Sequence, residues 1–211
     1  MKIGVLALQG AFIEHIKILR ELGVEAVEVR LPEDLAGLDG LIIPGGESTT
    51  IGKLATMYHL MEPLRAFAAR KAMWGTCAGM IFMAKEIGDG RSNHGQPLLA
   101  IMDIVVDRNA FGRQVDSFET DLDVPAINNG AVKPFPAVFI RAPKLVAAKG
   151  DTQVLARLAD GTAVAAQEGN WLVTSFHPEL TGDNRFHKYF LELAKQKTPN
   201  DERRTMNSVD N

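Results

Sequence analysis

Cysteine is almost absent from this chain: Cys77 is the one thiol among 211 residues. A single cysteine excludes an intrachain disulfide framework and suits a reducing compartment, so a cytoplasmic setting is expected. No apolar stretch approaches the roughly 20 residues that a bilayer requires. The N-terminal apolar run over residues 2–8 stops at Gln9-Gly10, without the basic leader or cleavage-site pattern of a signal peptide. Charge of one sign is not in excess either. Lys and Arg number 23 against 26 Asp and Glu, a net charge of −3, which leaves no basic field for gripping nucleic acid and no reason to expect a membrane surface as partner. Internal repeats are missing. What remains, 46% apolar and 23% charged residues, is the balance of an ordinary globular protein long enough to bury a substantial core. A single domain over residues 1–196 is expected, followed by a polar, mobile tail over 197–211.

Residues 2–8 are almost continuously apolar, as in a strand covered on both faces of a parallel sheet. A helix follows over about 12–22, with Phe12, Ile16 and Leu19 inward and Gly23 stopping it. Strands are read at 25–29, 40–43, 71–74, 101–106, 138–143 and 171–176, and an amphipathic helix at 60–70. Ala159-Asp160-Gly161 signals a hairpin between 154–158 and 163–167. Asp183 reads as the N-cap of a last helix over 184–195. Strands alternating with helices predict an α/β, doubly wound, mostly parallel sheet, with its site at the strand C-terminal ends.

Three stretches carry chemistry. Trp74-Gly75-Thr76-Cys77-Ala78-Gly79-Met80 joins a short buried strand to a helix read as starting around Ile81-Phe82-Met83-Ala84-Lys85, and its small residues permit the sharp turn of a nucleophile elbow. A thiol there stands clear of the sheet at a helix N-terminus, which favours thiolate; the competing reading is a buried structural cysteine. Pro44-Gly45-Gly46-Glu47-Ser48-Thr49-Thr50 follows a strand, and its adjacent glycines leave N–H groups free for an oxyanion. A phosphate cradle is disfavoured there, because no Gly-Lys-Ser/Thr follows and Glu47 repels phosphate; a plain tight turn is the remaining alternative. Phe176-His177-Pro178-Glu179 ends the last strand. In an extended segment His177 and Glu179 share a face, so the carboxylate holds one ring nitrogen and leaves the other for a thiol. Nucleophile, base and orienter are then all present. Arg108 and Arg141 read, from the residues alone, as surface charges at strand ends, with substrate-carboxylate binding as the rival.

Together these blocks resemble the class I, or triad, glutamine amidotransferases. With Gly4-Val5-Leu6-Ala7-Leu8-Gln9-Gly10, Arg108-Asn109-Ala110-Phe111-Gly112-Arg113-Gln114, Ile140-Arg141-Ala142-Pro143 and Ser175-Phe176-His177-Pro178-Glu179-Leu180-Thr181, the likeness narrows to the family of glutaminase subunits of pyridoxal 5'-phosphate synthase. The resemblance implies the flavodoxin-like fold of that class. It implies hydrolysis of L-glutamine through a γ-glutamyl thioester on Cys77, with His177 moving protons and Glu179 orienting it. Main-chain N–H groups of Gly46 and Ala78 would form the oxyanion hole. Glutamine contacts would fall on Gly46, Glu47, Ser48, Arg108, Ile140 and Arg141. No metal and no cofactor are implied for this chain, since pyridoxal 5'-phosphate is the product of the complex. The implied partner is a separate synthase subunit that receives ammonia directly, and activity is expected to be weak until that partner docks. Rival readings are a Cys-dependent amidotransferase or hydrolase of the same fold serving another acceptor, and a non-catalytic glutamine-binding subunit.

Overall fold

The computed structural model of the chain describes residues 1–88, 95–108, 117–128 and 133–196. The expected tail at 197–211 and the segment Asn109-Ala110-Phe111-Gly112-Arg113-Gln114 lie outside them. The first strand, β1 (Lys2–Leu6), leads through Gln9-Gly10 into α1 (Phe12–Glu21), then β2 (Glu25–Val29) and β3 (Gly40–Ile43). Two helices follow, α2 (Ser48–Met57) and α3 (Met61–Ala68), then β4 (Ala72–Thr76) and α4 (Ala78–Met83). The helix expected over 60–70 is α3, whereas residues 48–50 are expected to end the Gly45-Gly46 loop and 51–57 carry no expected element. The missed helix α2 is started by Glu47, whose carboxylate accepts from the Thr49 and Thr50 N–H groups, a cap placed inside what reads as a loop.

The elbow helix is also shorter than expected. It stops at Met83, and Ala84 already opens β5 (Ala84–Ile87). The rest of the chain is mostly strand: β6 (Met102–Asp107), β7 (Ser117–Leu122), β8 (Phe135–Ile140), β9 (Lys144–Ala148), β10 (Gln153–Arg157), β11 (Ala163–Glu168) and β12 (Trp171–Thr174), before α5 (Arg185–Lys195). Residues 138–143 therefore hold only the end of β8. The strands β5, β7 and β9, unread in the sequence, carry exposed or half-buried residues at most positions; β5 and β7 give no apolar run, and that of β9 is only the four residues 145–148. Asp183 stands one residue outside the cap position, which is Asn184, yet its carboxylate accepts from the Arg185 N–H at 3.0 Å.

The large sheet runs β2-β1-β3-β4-β12-β11-β9-β6-β5, with β10 on β11. Its first five strands are mutually parallel, as the apolar runs predict. From β11 onward the ladders are mixed, and β10–β11 is the antiparallel hairpin signalled by Asp160-Gly161. The order 2-1-3-4 reverses direction between β1 and β3, so the crevice at the strand C-terminal ends opens where Gln9-Gly10 and Gly45-Gly46 lie.

Both faces of the parallel half are buried, and alternate residues serve different layers. Ile3, Val5, Ile42 and Trp74 join Ile16 and Leu19 of α1 and Phe186 and Phe190 of α5. Leu6, Leu41, Ile43 and Met73 join Ile51, Leu64 and Phe82 on the other side. The small β7–β8 sheet packs its Phe135 and Phe139 onto the α5 layer, where Phe186 meets Phe135 at 4.8 Å and Phe176 at 5.3 Å, centroid to centroid. Phe186 therefore links the last helix to the turn that carries His177. Phe186→Ala is expected to lower unfolding free energy by about 3–5 kcal/mol, read from the urea midpoint at unchanged slope.

Candidate active site

The elbow is held open by backbone strain and by missing side chains. Cys77 sits at φ 47°, ψ −104°, in a region unfavourable for any residue with a Cβ. Its N–H donates to the Thr174 carbonyl at 2.8 Å, which pins the turn to the end of β12. Gly79 lies so close to β3 that any Cβ would overlap the Ile43 carbonyl, and a Cβ on Gly75 would press on the Gly79 carbonyl at 2.6 Å. These two glycines let the strand, the turn and α4 pack within backbone distance. With only six residues, α4 contributes little dipole, so the cationic neighbour of the sulfur is a side chain.

That neighbour is His177. Its Nδ1 is 2.6 Å from Glu179 Oε1, leaving Nε2 for the sulfur. Burial opposes a charged ring, but hydrogen bonds and charge from Cys77 and Glu179 raise its pKa from 6.5 to about 10. The carboxylate reaches the ring differently from the sequence reading. Pro178–Leu180 forms a 3-10 turn, so Glu179 folds back toward His177 instead of projecting from an extended strand. The His177 N–H donates to the Val138 carbonyl at 2.8 Å, which fastens this turn to β8.

The Gly45-Gly46 loop closes over both groups. A Cβ on Gly45 would overlap His177 Cε1 and lie 3.3 Å from Cys77 Cβ. Gly10 backs the loop at φ 103°, and the Gly45 carbonyl accepts from the Ala11 N–H at 3.0 Å. Gln9 Oε1 accepts from the Glu47 N–H at 2.7 Å, so the first switch-point loop holds the second.

A cavity of about 360 Å³ opens in front of Cys77. Gly46, Glu47, Ser48, Ala78, Arg108, Ile140, Arg141 and His177 all line it, together with Gln9 and Ile81. Of the candidate catalytic, oxyanion-hole and glutamine-binding residues, only Glu179 does not line it, its side chain fully buried. Glu47, although it caps α2, keeps half its side chain exposed toward solvent. Burial works against its carboxylate, but bonds from Thr50 and Thr49 lower its pKa to about 2. Arg108 is held by Gln96 Oε1 at 2.5 Å, Thr49 Oγ1 at 3.2 Å and Glu47 Oε1 at 3.4 Å. Arg141, at φ 42°, is exposed.

Three buried polar residues escaped the sequence reading. Gln96 lies in the stretch from Gly88 to Pro97, whose polar, glycine-rich sequence reads as a surface loop. His15 and His187 look like ordinary members of amphipathic helices, and nothing in their local spacing shows that they meet. Among the described residues, no group of three or more His, Cys, Asp or Glu side chains is arranged to hold a metal ion.

The family model of the SNO glutamine amidotransferases matches residues 5–196. Pyridoxal 5'-phosphate synthase subunit PdxT of Herpetosiphon aurantiacus is 58% identical over 194 residues, covering 92% of this chain and 100% of that protein. The PdxT subunit of Dehalococcoides mccartyi is 59% identical over 200 residues, 94% of this chain and 100% of that one. A crystal structure of a glutamine amidotransferase is similar with a TM-score of 0.83 at 50% identity, over 92% of this chain and 99% of the other. PurLQS from Thermotoga maritima, with a TM-score of 0.68 at 16% identity over 92% and 98% of the two chains, shares the fold.

Two outcomes follow from the geometry. Gly45→Ala displaces His177 and is expected to remove nearly all enzymatic activity while far-ultraviolet circular dichroism stays that of the parent. In ring-nitrogen NMR, His177 is expected to stay protonated on both nitrogens from pH 6 to 8 and to titrate near 10. A folded-state value above the ordinary 6.5 means that this ring's contribution to stability is complete below pH 6.5 and is lost as pH rises through about 10.

Proposed function

The chain belongs to the SNO glutamine amidotransferase family, and we propose that it hydrolyses L-glutamine by a Cys77-His177-Glu179 triad and hands the ammonia to a synthase subunit making pyridoxal 5'-phosphate. The relatives named as PdxT support the assignment as the glutamine amidotransferase subunit of that synthase. The observation that carries the chemistry is convergence: the sulfur, a cationic ring and two loop backbones face one cavity sized for a small amino acid.

The reaction proceeds in two halves. Cys77 Sγ attacks the side-chain amide carbon of glutamine, and the oxygen that becomes negative is held by the N–H groups of Gly46 and Ala78. Each such donor typically contributes about 3 kcal/mol to the transition state. As the tetrahedral intermediate collapses, the carbon–nitrogen bond breaks and His177 Nε2–H gives its proton to the leaving nitrogen, which departs as ammonia. The γ-glutamyl thioester remains. Water then attacks the same carbon, His177 takes up its proton, and glutamate leaves as the carbon–sulfur bond breaks. Glu179 keeps Nδ1 occupied throughout, so Nε2 always faces the sulfur.

Glutamine itself is held by charge. Glu47 suits its ammonium group. Arg108 is already engaged by Gln96, Thr49 and Glu47, whereas Arg141 is exposed and lines the cavity, so Arg141 takes the α-carboxylate and Arg108 fixes Glu47. Ser48 and Ile140 complete the wall. Gln9 and the 44–50 loop lie at the mouth, where a docked synthase subunit completes their arrangement and keeps ammonia from being protonated in bulk water. The chain works without a cofactor or metal of its own, pyridoxal 5'-phosphate being the product of the assembled enzyme, in the cytoplasm. Among the described residues, no helix is long and apolar enough to cross a membrane.

The deciding experiment measures ammonia and glutamate released from glutamine, with and without the synthase subunit. Cys77→Ala is expected to abolish both products, and Glu179→Gln to lower kcat by roughly 10²–10⁴. Arg141→Ala is expected to raise KM for glutamine with kcat nearly unchanged, the sign of lost uniform binding. Full activity in Cys77→Ala defeats the mechanism.

A further inference from the structure

We infer that His15 is a positioning residue for this reaction: its Nε2–H faces the second oxygen of Glu179, and His187 fixes the tautomer that aims it there. The inference rests on the glutaminase reading for its kinetic consequences but not for its geometry.

Glu179 Oε1 is committed to His177, and among the described residues Oε2 has no hydrogen-bond partner although the side chain is fully buried. A buried carboxylate oxygen without a donor is costly, so a donor should stand within reach. His15 Nε2 lies 3.4 Å from Oε2 and 3.4 Å from Thr76 Oγ1. On its other side, His15 Nδ1 is 2.9 Å from His187 Nε2. Both rings are wholly buried, and among the described residues His187 Nδ1 has no partner. Burial, with smaller contributions from the charges of His187 and His177, holds His15 neutral, and burial takes the pKa of His187 down to about 3.

Two neutral rings carry one ring proton each, and the 2.9 Å contact requires that one of them donate. If His15 Nδ1–H donates to His187, then His187 must carry its proton on Nδ1, where no acceptor stands among the described residues. His15 would also turn a lone pair toward an ionised carboxylate. If His187 Nε2–H donates to His15, then the His15 proton is on Nε2, shared between Glu179 Oε2 and Thr76 Oγ1. The only unfilled position is then a lone pair on His187 Nδ1. Buried N–H groups without acceptors are rarer and more expensive than unfilled acceptors. The second arrangement is therefore the stable one.

The pair, His15 of α1 and His187 of α5, packs against β4, the strand that leads to the nucleophile. The Trp74 ring meets His15 edge-on at 5.6 Å and His187 at 4.9 Å, between centroids, three residues before Cys77. One row of side chains thus runs from Cys77 through His177, Glu179 and His15 to His187. It ends in buried core, beside Trp74. Its role is orientation: the carboxylate that holds His177 is itself held at both oxygens.

The test uses the full chain. Ring-nitrogen NMR is expected to show His15 and His187 both protonated on Nε2; protonation of His15 on Nδ1 overturns the inference. In the complex with the synthase subunit, His15→Leu is expected to lower kcat roughly 10–100-fold, the loss typical when the outer partner of an active-site group is removed. KM for glutamine should hold, because His15 does not line the cavity. His15→Gln restores a side-chain N–H and should recover most of kcat. Where His15→Leu fails to fold, His187→Leu, which leaves Glu179 untouched, is expected to lower kcat several-fold. A lowered melting temperature with the parent kcat marks a purely structural residue and overturns the inference. A parent complex that releases no ammonia defeats the glutaminase reading instead, and the NMR result still decides where the His15 proton lies.

Discussion

The 2.6 Å hydrogen bond between His177 Nδ1 and Glu179 Oε1 is the interaction on which the site depends. It is made in an interior where neither partner could stand alone, since a buried carboxylate needs donors and a buried imidazolium needs counter-charge. Its direct effect, added to that of the Cys77 contact and against the opposing effect of burial, is to favour the charged ring that faces sulfur. Its indirect effect is on the fold around it. The 3-10 turn at Pro178–Leu180, the tie from His177 N–H to the Val138 carbonyl and the aromatic cluster of Phe135, Phe176 and Phe186 all serve to keep one turn in place.

The sheet brings the other parts to that turn. Strands β3, β4 and β12 are adjacent and parallel, so the Gly45-Gly46 loop, the Cys77 elbow and the His177 turn leave the same edge of the sheet side by side. Distances at that edge are set by backbone, not side chain. Gly10 against Gly45, Gly79 against Ile43 and Gly45 against His177 are three places where a single added carbon would overlap a neighbour. A strained non-glycine residue, Cys77 at positive φ, is kept amid them because only that conformation projects its sulfur into the cavity.

Much of this was legible in the residues. The apolar runs of β1, β3 and β4 gave the parallel half of the sheet, and Asp160-Gly161 gave its hairpin. Cys77, the paired glycines and His177-Pro178-Glu179 stood out because each breaks a pattern that packing alone would not produce. The mixed half was less legible, since β5 and β7 hold few apolar residues and β9 is a short apolar run whose middle residue is exposed. Helix α2 was hidden because its cap, Glu47, reads as part of a ligand loop. The short α4 was overdrawn because Ala84 continues an apolar stretch into a strand. The buried row beyond Glu179 left no local trace at all: His15 and His187 are 172 positions apart, and only the folded sheet puts α1 and α5 on one face of Trp74.

The proposed mechanism makes one covalent claim, a γ-glutamyl group on the Cys77 sulfur, and the most direct measurement looks for it. The complex with the synthase subunit is turned over with L-glutamine, quenched in acid within milliseconds to seconds, digested and analysed by mass spectrometry. The account predicts a γ-glutamyl adduct on the peptide containing Cys77 that decays as glutamate appears. Release of ammonia with no adduct on Cys77 at any time, or with the adduct on another residue, would contradict it.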